Sequence, residues 1–233
     1  MEEAAAKGIT FGVIPFIVTS PVTQQELNSR LQELAAPSQD TAIRPLVAIF
    51  TSASAVDAVA KWWKATTVNP PWEIFCTSYA TLDKARDTFG SNAIAGTADS
   101  ARELAEVIMQ KKGPGAGREV FFFCGDLRRD ELPALLKSNG FEVNERMVYH
   151  TIPTPQRALD KYDGIVFFSP SAVESFFSIN TVAPGTRMFA IGATTANAIK
   201  IRCDNAVMIS SRPEKATMIR QVIDYFQTNN IYY

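Results

Sequence analysis

Short, continuous apolar runs recur along this chain, each followed by small or hydroxylated residues and then by an amphipathic helical pattern. PLVAIF (45–50) precedes a helix from about Ser54, WEIFC (72–76) one from about Thr81, and NAIAG (92–96) precedes DSARELAEVIMQKK. REVFFFCG (118–125) precedes RRDELPALLKSNG, and GIVFFS (164–169) precedes SAVESFFSI. RMFAIG (187–192) precedes TTANAIKIR, and NAVMIS (205–210) precedes EKATMIRQVIDYF. Continuous β-branched and aromatic strands that alternate with helices predict parallel sheets covered on both faces.

One turn occurs twice. FTSASAV begins at Phe50 and FFSPSAV at Phe167, each running from a strand through Ser-x-Ser into a helix. Seven strand–helix units with a repeated turn predict two similar α/β domains. Loop composition marks joints at 36–45, 66–71 and 111–118. Two extended segments, FGVIPFIVTSPV (11–22) with its helix-breaking prolines and FEVNERMVYHTIPTP (141–155), flank the middle of the chain. They read as two connecting strands of a discontinuous arrangement. The prediction is an inserted α/β domain over 23–150 and an outer one made of 1–22 with 151–233.

Composition narrows the partners. The chain has 233 residues, 20 % of them charged and 46 % hydrophobic, with a net charge of −1. That balance offers no electrostatic footprint for nucleic acid or a lipid surface. No apolar run approaches the roughly 20 residues that span a bilayer, and MEEAAAKGITF does not read as a secretory leader. Cys76, Cys124 and Cys203 are widely separated and make neither a metal spacing nor a disulfide framework, which points to a reducing cytoplasm. Cys76 and Cys124 end apolar strands and read as packing residues. A single histidine, His150, excludes a multi-histidine metal site.

In open parallel sheets, ligands bind beyond the carboxyl ends of the strands. There, helix N-termini present unsatisfied backbone N–H groups and a positive dipole end, which suits anions. This chain places Ser52–Ser54, Thr77–Tyr79, Gly96–Ser100, Ser169–Ser171, Gly192–Thr195 and Ser210–Ser211 at such turns. Two domains facing one another would aim two sets of these at one cleft. The hydroxyls can serve a ligand, or they can be helix N-caps and nothing more. Arg128 and Arg129 could meet a carboxylate, or form a solvated first turn offset by Asp130 and Glu131. There is no G-x-G-x-x-G after a strand and no Walker motif, which argues against nucleotide binding. Trp62 and Trp63, late in a helix, read as core or interface.

Several of these stretches, in order, resemble uroporphyrinogen-III synthases. FFFCGDLRRDELPALLKSNGFEVNERMVYHT (121–151) is similar to their strand, Arg-rich turn, Leu-Pro helix and Val-Tyr-x-Thr run. VFFSPSAVESFF (166–177) resembles their Ser-Pro-Ser turn, and FAIGATTANAIK (189–200) their Ile-Gly-x-Thr-Thr-Ala motif. VIPFIVTSP (13–21) and AGTADSARELAEVI (95–108) also fit. The resemblance implies two flavodoxin-like domains, parallel and doubly wound, joined by a two-stranded β linker, one inserted in the other. It implies cyclisation of hydroxymethylbilane to uroporphyrinogen III, with loss of water and inversion of ring D, and no metal or organic cofactor. Tyr149 would hydrogen-bond the leaving hydroxyl. Ser52, Ser54, Thr77, Ser78, Tyr79, Gly96, Thr97, Gly125, Ser169, Ser171, Gly192, Thr194 and Thr195 would bind the eight-carboxylate substrate, mostly through backbone amides. The implied protein is a cytoplasmic monomer, taking substrate by hand-over from the deaminase that makes it.

Members of that family begin with a strand bearing a Thr-Arg-Pro-like turn. This chain opens inside what resembles the following helix, so the outer domain is expected to lack its first strand. The competing reading is a non-catalytic two-domain cytoplasmic binder or sensor of a small anionic ligand, built on the same helix N-termini. A response-regulator-like module would need clustered acids at the strand ends, where this chain has Ser, Thr, Gly and Cys, with Asp126 the sole acid.

Overall fold

In a computed structural model of the chain, the described residues are 2–23, 25–27, 29, 45–65, 72–113, 118–158 and 161–229. The loop predicted at 36–45, save its last residue, the one at 66–71, and the glycine-rich core of 111–118 lie outside them. Nine strands and eight α-helices are found among the described residues. Six strands form one sheet, β1 (Ile17–Pro21), β2 (Leu46–Phe50), β3 (Trp72–Thr77), β4 (Ile94–Ala98), β5 (Arg118–Gly125) and β6 (Phe141–Pro153), in the order β1-β6-β5-β2-β3-β4. A second sheet, β7 (Gly164–Phe167), β8 (Arg187–Ala190) and β9 (Val207–Ile209), is ordered β7-β8-β9. The helices are α1 (Glu2–Ala5), α2 (Ala53–Ala65), α3 (Ala80–Phe89), α4 (Ala101–Lys112), α5 (Glu131–Ser138), α6 (Pro170–Phe177), α7 (Ala193–Arg202) and α8 (Lys215–Thr228).

The chain divides into two units, Thr19–Thr151 and Met1–Val18 with Ile152–Tyr233. It passes between them twice, in β1 and in β6. These neighbouring strands run in opposite directions: Val22 N–H donates to Val148 O and Thr154 N–H to Phe16 O.

In the unit of residues 19–151, β4, β3, β2, β5 and β6 pair in parallel, and only β1 runs against them, at the β6 edge. Their apolar runs are continuous because both faces are covered. Ala48, Phe50, Ile74, Cys76 and Phe123 face one core with Ala55, Val56, Val59 and Trp62 of α2 and Ala85 of α3. Val47, Ile49, Phe75, Val120 and Phe122 face the other, with Leu104, Ala105 and Ile108 of α4 and Leu132 and Leu136 of α5. The period of two along each strand and the i, i+3, i+4 spacing on each helix put these side chains together. Trp62 is buried in the first core.

In the other unit, β7, β8 and β9 are parallel. Phe167, Met188 and Ala190 pack with Val173 and Phe176 of α6 and Ala196 and Ile199 of α7. On the opposite face, Phe189 packs with Met218 and Val222 of α8, and Phe11 closes that cluster. No helix among the described residues is long and apolar enough to cross a membrane.

Candidate functional site

Parallel pairing brings the carboxyl ends of β2, β3, β4 and β5 to one edge, with Phe50 opposite Cys76 and Phe123, and Thr77 opposite Ala98. Ser52 stands at the end of β2 and caps α2, its Oγ accepting from Ala55 N–H at 3.2 Å. The Ser52 side chain also lies beside the Tyr149 hydroxyl, near enough to draw its pKa down. Tyr149 reaches that edge through a shift in register. Cys124 pairs with Met147, but Gly125 pairs with Tyr149, leaving Val148 as an extra residue. Such irregularities re-aim side chains. The Tyr149 ring lies against Gly125, where a Cβ would stand 2.4 Å from Tyr149 Cζ and 2.8 Å from its Oη. Glycine is required there for close approach, not for a special φ.

The next residue, Asp126, holds the same stretch of β6. Its N–H donates to Tyr149 O at 3.2 Å. Its Oδ1 accepts from Thr151 N–H at 2.9 Å and from Leu127 N–H at 3.0 Å. His150 Nδ1 lies 3.4 Å from its Oδ2. The sequence pattern assigns Asp126 no role beyond that of a lone acid, because its bond to Thr151 depends on a pairing of distant segments that no local stretch contains. Burial raises the Tyr149 pKa; Ser52 beside it opposes the rise, and the charges of Cys124 and Asp126 add to it.

The remaining predicted residues of this unit are more scattered. Ser54 Oγ donates to Thr19 Oγ1 at 3.5 Å, and Thr77 Oγ1 to Thr81 Oγ1 at 3.1 Å. The Ser78 backbone N–H donates to Ala98 O at 2.8 Å, so that amide is already used within the sheet. Tyr79 precedes α3 at φ 64 and ψ −131, a conformation that L side chains rarely adopt, and its hydroxyl donates to Asp99 Oδ2 at 3.0 Å. Gly96 and Thr97 belong to β4 itself, the edge strand. They line a cavity of about 600 Å³ with Arg86, Val107 and Lys111, rather than standing in a strand-end turn. Gly96 lets β4 approach Val107 and Phe75, which a Cβ would meet at 2.8 and 2.9 Å.

In the other unit, Ser169 caps α6, its Oγ accepting from Ala172 N–H at 3.2 Å, and lies 3.0 Å from Ser171 Oγ. Pro170 at the first helical position fits that start. Gly192 precedes α7 with no side-chain cap. Thr194 is exposed in its first turn. Thr195, predicted alongside it to bind substrate, is 3 % exposed and turns into the core, because the next helical position rotates about 100°.

Arg128 is not a simply solvated first-turn residue, since it pairs with Asp130 and with Glu145 of β6. Burial pushes the thiols of Cys76 and Cys124 up to about 11, so neither is a nucleophile at neutral pH. Among the described residues, no group of three or more His, Cys, Asp or Glu could hold a metal ion.

The family model described as HEM4, uroporphyrinogen-III synthase HemD, matches residues 1–220. Among solved structures, the chain is similar to a mutant uroporphyrinogen III synthase from the extremely thermophilic bacterium Thermus thermophilus, with a TM-score of 0.62 and 17 % identity over 97 % of this chain and 94 % of that one. It is also similar to uroporphyrinogen-III synthetase from Helicobacter pylori 26695, with a TM-score of 0.62 and 14 % identity over 92 % and 93 %. At these identities the structural likeness speaks for the fold.

Proposed function

From a chain that belongs to the uroporphyrinogen-III synthase family, we infer a lyase that cyclises hydroxymethylbilane to uroporphyrinogen III in tetrapyrrole biosynthesis. The family match over residues 1–220 carries this reading. The substrate's pyrroles are electron-rich, and its hydroxymethyl group loses its hydroxyl as water once an acid supplies a proton, the CH2 carbon staying on the ring. The azafulvenium cation that remains is attacked by the substituted carbon of ring D, giving a spiro intermediate. Fragmentation and reclosure deliver the ring inverted. Closure without the enzyme gives the uninverted type I isomer, so positioning is most of the catalyst's task.

Tyr149 is our candidate for the group that hydrogen-bonds the departing hydroxyl. A phenol holds its proton at neutral pH, burial here reinforces that, and a positioned hydrogen-bond donor assists departure. Ser52 lies beside its hydroxyl. Ser169, Ser171, Thr194 and the first turn of α7 would receive substrate carboxylates, a role that the capping geometry of Ser169 and the exposure of Thr194 support. Ser54, Thr77, Tyr79 and Gly192 belong to the same proposed set. The exposed side chains of Leu127 and Phe168, just beyond β5 and β7, offer apolar surface to pyrrole rings. The same proposal takes 23–150 as an inserted flavodoxin-like domain and 1–22 with 151–233 as the outer one, supported by the discontinuous division of the chain. It also takes the protein as a cytoplasmic monomer that receives its substrate from the deaminase.

The test supplies porphobilinogen and a hydroxymethylbilane-producing deaminase, adds this protein, oxidises the products and separates the uroporphyrin isomers. Predominantly type III product is expected. Type I alone, from folded protein, would reject the synthase reading in favour of an anion-binding protein.

A further inference from the structure

We propose that Asp126 is the positioning residue for Tyr149, clamping residues 149–151 of β6 so that the phenol meets Ser52; this rests on the synthase reading of Tyr149. A register shift interrupts the β5–β6 ladder just before Tyr149, since Gly125 pairs with Tyr149 and skips Val148, whose carbonyl accepts from Val22 of the other neighbouring segment. Irregular backbone holds one conformation only if other bonds replace the ladder. Asp126 supplies them on both sides of His150, directly after the tyrosine. Its N–H donates to Tyr149 O and its carboxylate accepts from Thr151 N–H. The second oxygen faces His150. The carboxylate is itself fixed by Leu127 N–H, and 27 % of the side chain is exposed. Bonds from backbone N–H to a carboxylate are about twice as strong as neutral ones. Gly125 and Asp126 therefore act together, the glycine admitting the ring and the aspartate fixing the backbone that carries it.

The experiment is a double-mutant cycle of Asp126→Ala and Tyr149→Phe in the coupled isomer assay, with hydrogen exchange followed at the Thr151 amide. Asp126→Ala is expected to lower kcat about tenfold or more, because a misplacement near 1 Å costs on the order of a hundredfold. KM should change less than about twofold, since binding and departure draw on different groups. In the Tyr149→Phe background the same substitution should cost little further, because Asp126 acts through Tyr149. Asp126→Asn keeps the amide acceptor, so it should recover most of kcat and the slow exchange at Thr151. Should Asp126→Ala fail to fold, the asparagine variant and the exchange rate still decide. Equal losses in both backgrounds, or exchange at Thr151 unchanged in Asp126→Ala, would overturn the role of Asp126 alone. A wild-type protein giving only type I product, with Thr151 still protected, would overturn the synthase reading and the catalytic meaning of the clamp with it.

Discussion

Tyr149 occupies the space that a side chain on Gly125 would need: a Cβ there would stand 2.4 Å from the ring carbon Cζ. Both residues lie in parallel strands that share one hydrogen-bonded ladder, so neither backbone can retreat without breaking it. Gly125→Ala is expected to force the ring away from Ser52. Overpacking of this kind costs about 1–3 kcal/mol, which a denaturant titration will read as a lower midpoint at unchanged slope. The fraction of type III product should fall with it. A variant of unchanged stability and isomer ratio would mean that the ring is not held against the strand.

Thr194 and Thr195 separate two roles on adjacent positions. Thr194 is exposed in the first turn of α7 and Thr195 is buried. Thr194→Ala is expected to raise KM in the coupled assay while stability changes by less than about 0.5 kcal/mol, as for ordinary surface substitutions. Thr195→Ala should instead lower stability, with kinetics altered only as far as folded protein is lost. The reverse pattern would place the ligand-facing residue at 195.

The central strands of the larger sheet were legible in the chain because they are buried on both faces and read as uninterrupted apolar runs: LVAIF, EIFC and VFFFC all carry fully buried side chains. Ser52 and Ser169 were legible as helix starts, since a hydroxyl before an apolar helical pattern has a direct physical use. What was not legible depends on pairing between distant segments. Nothing local in MVYH announces that Val148 is skipped in the ladder, or that Asp126 will bond to Thr151. The burial of Thr195 beside exposed Thr194 needed the helix phase to within one residue. That the Ser78 amide is taken by Ala98 follows from the β3–β4 register, which a sequence pattern does not contain. Gly96 and Thr97 were read as a turn, but β4 continues through both.

Tyr79 is held at a positive φ of 64 where β3 gives way to α3. Strain of this kind costs on the order of 1–3 kcal/mol and clusters at functional sites. Elsewhere in folded chains, alanine is usually the more stabilising partner in a glycine–alanine comparison. At position 79 the sign should reverse. Tyr79→Gly is expected to be more stable than Tyr79→Ala by about 1 kcal/mol in urea denaturation, both lacking the hydroxyl bonded to Asp99. Equal stabilities would mean that this backbone is not constrained to the left-handed side.

The two buried thiols make stability depend on alkaline pH. Cys76 and Cys124 titrate at 9.0 in an ordinary setting and at about 11 when burial disfavours their thiolates. Below about pH 9 both folded and unfolded chains keep these protons, and the thiols contribute a constant amount. Between about pH 9 and 11 the unfolded chain releases protons that the folded chain retains, so unfolding becomes easier as pH rises. The loss is at most about 3 kcal/mol per thiol, at 1.36 kcal/mol for each pH unit. Tyr149, whose pKa burial also raises, adds to the same trend above the ordinary tyrosine value. Denaturant midpoints measured from pH 8 to 11 should fall steadily, and Cys76→Ala with Cys124→Ala should flatten the fall. At neutral pH a thiol reagent should modify partly exposed Cys203 first and leave the other two until the chain unfolds. Rapid reaction of three thiols in the native protein, or midpoints independent of pH up to 11, would show that Cys76 and Cys124 are not sealed within the two faces of the sheet.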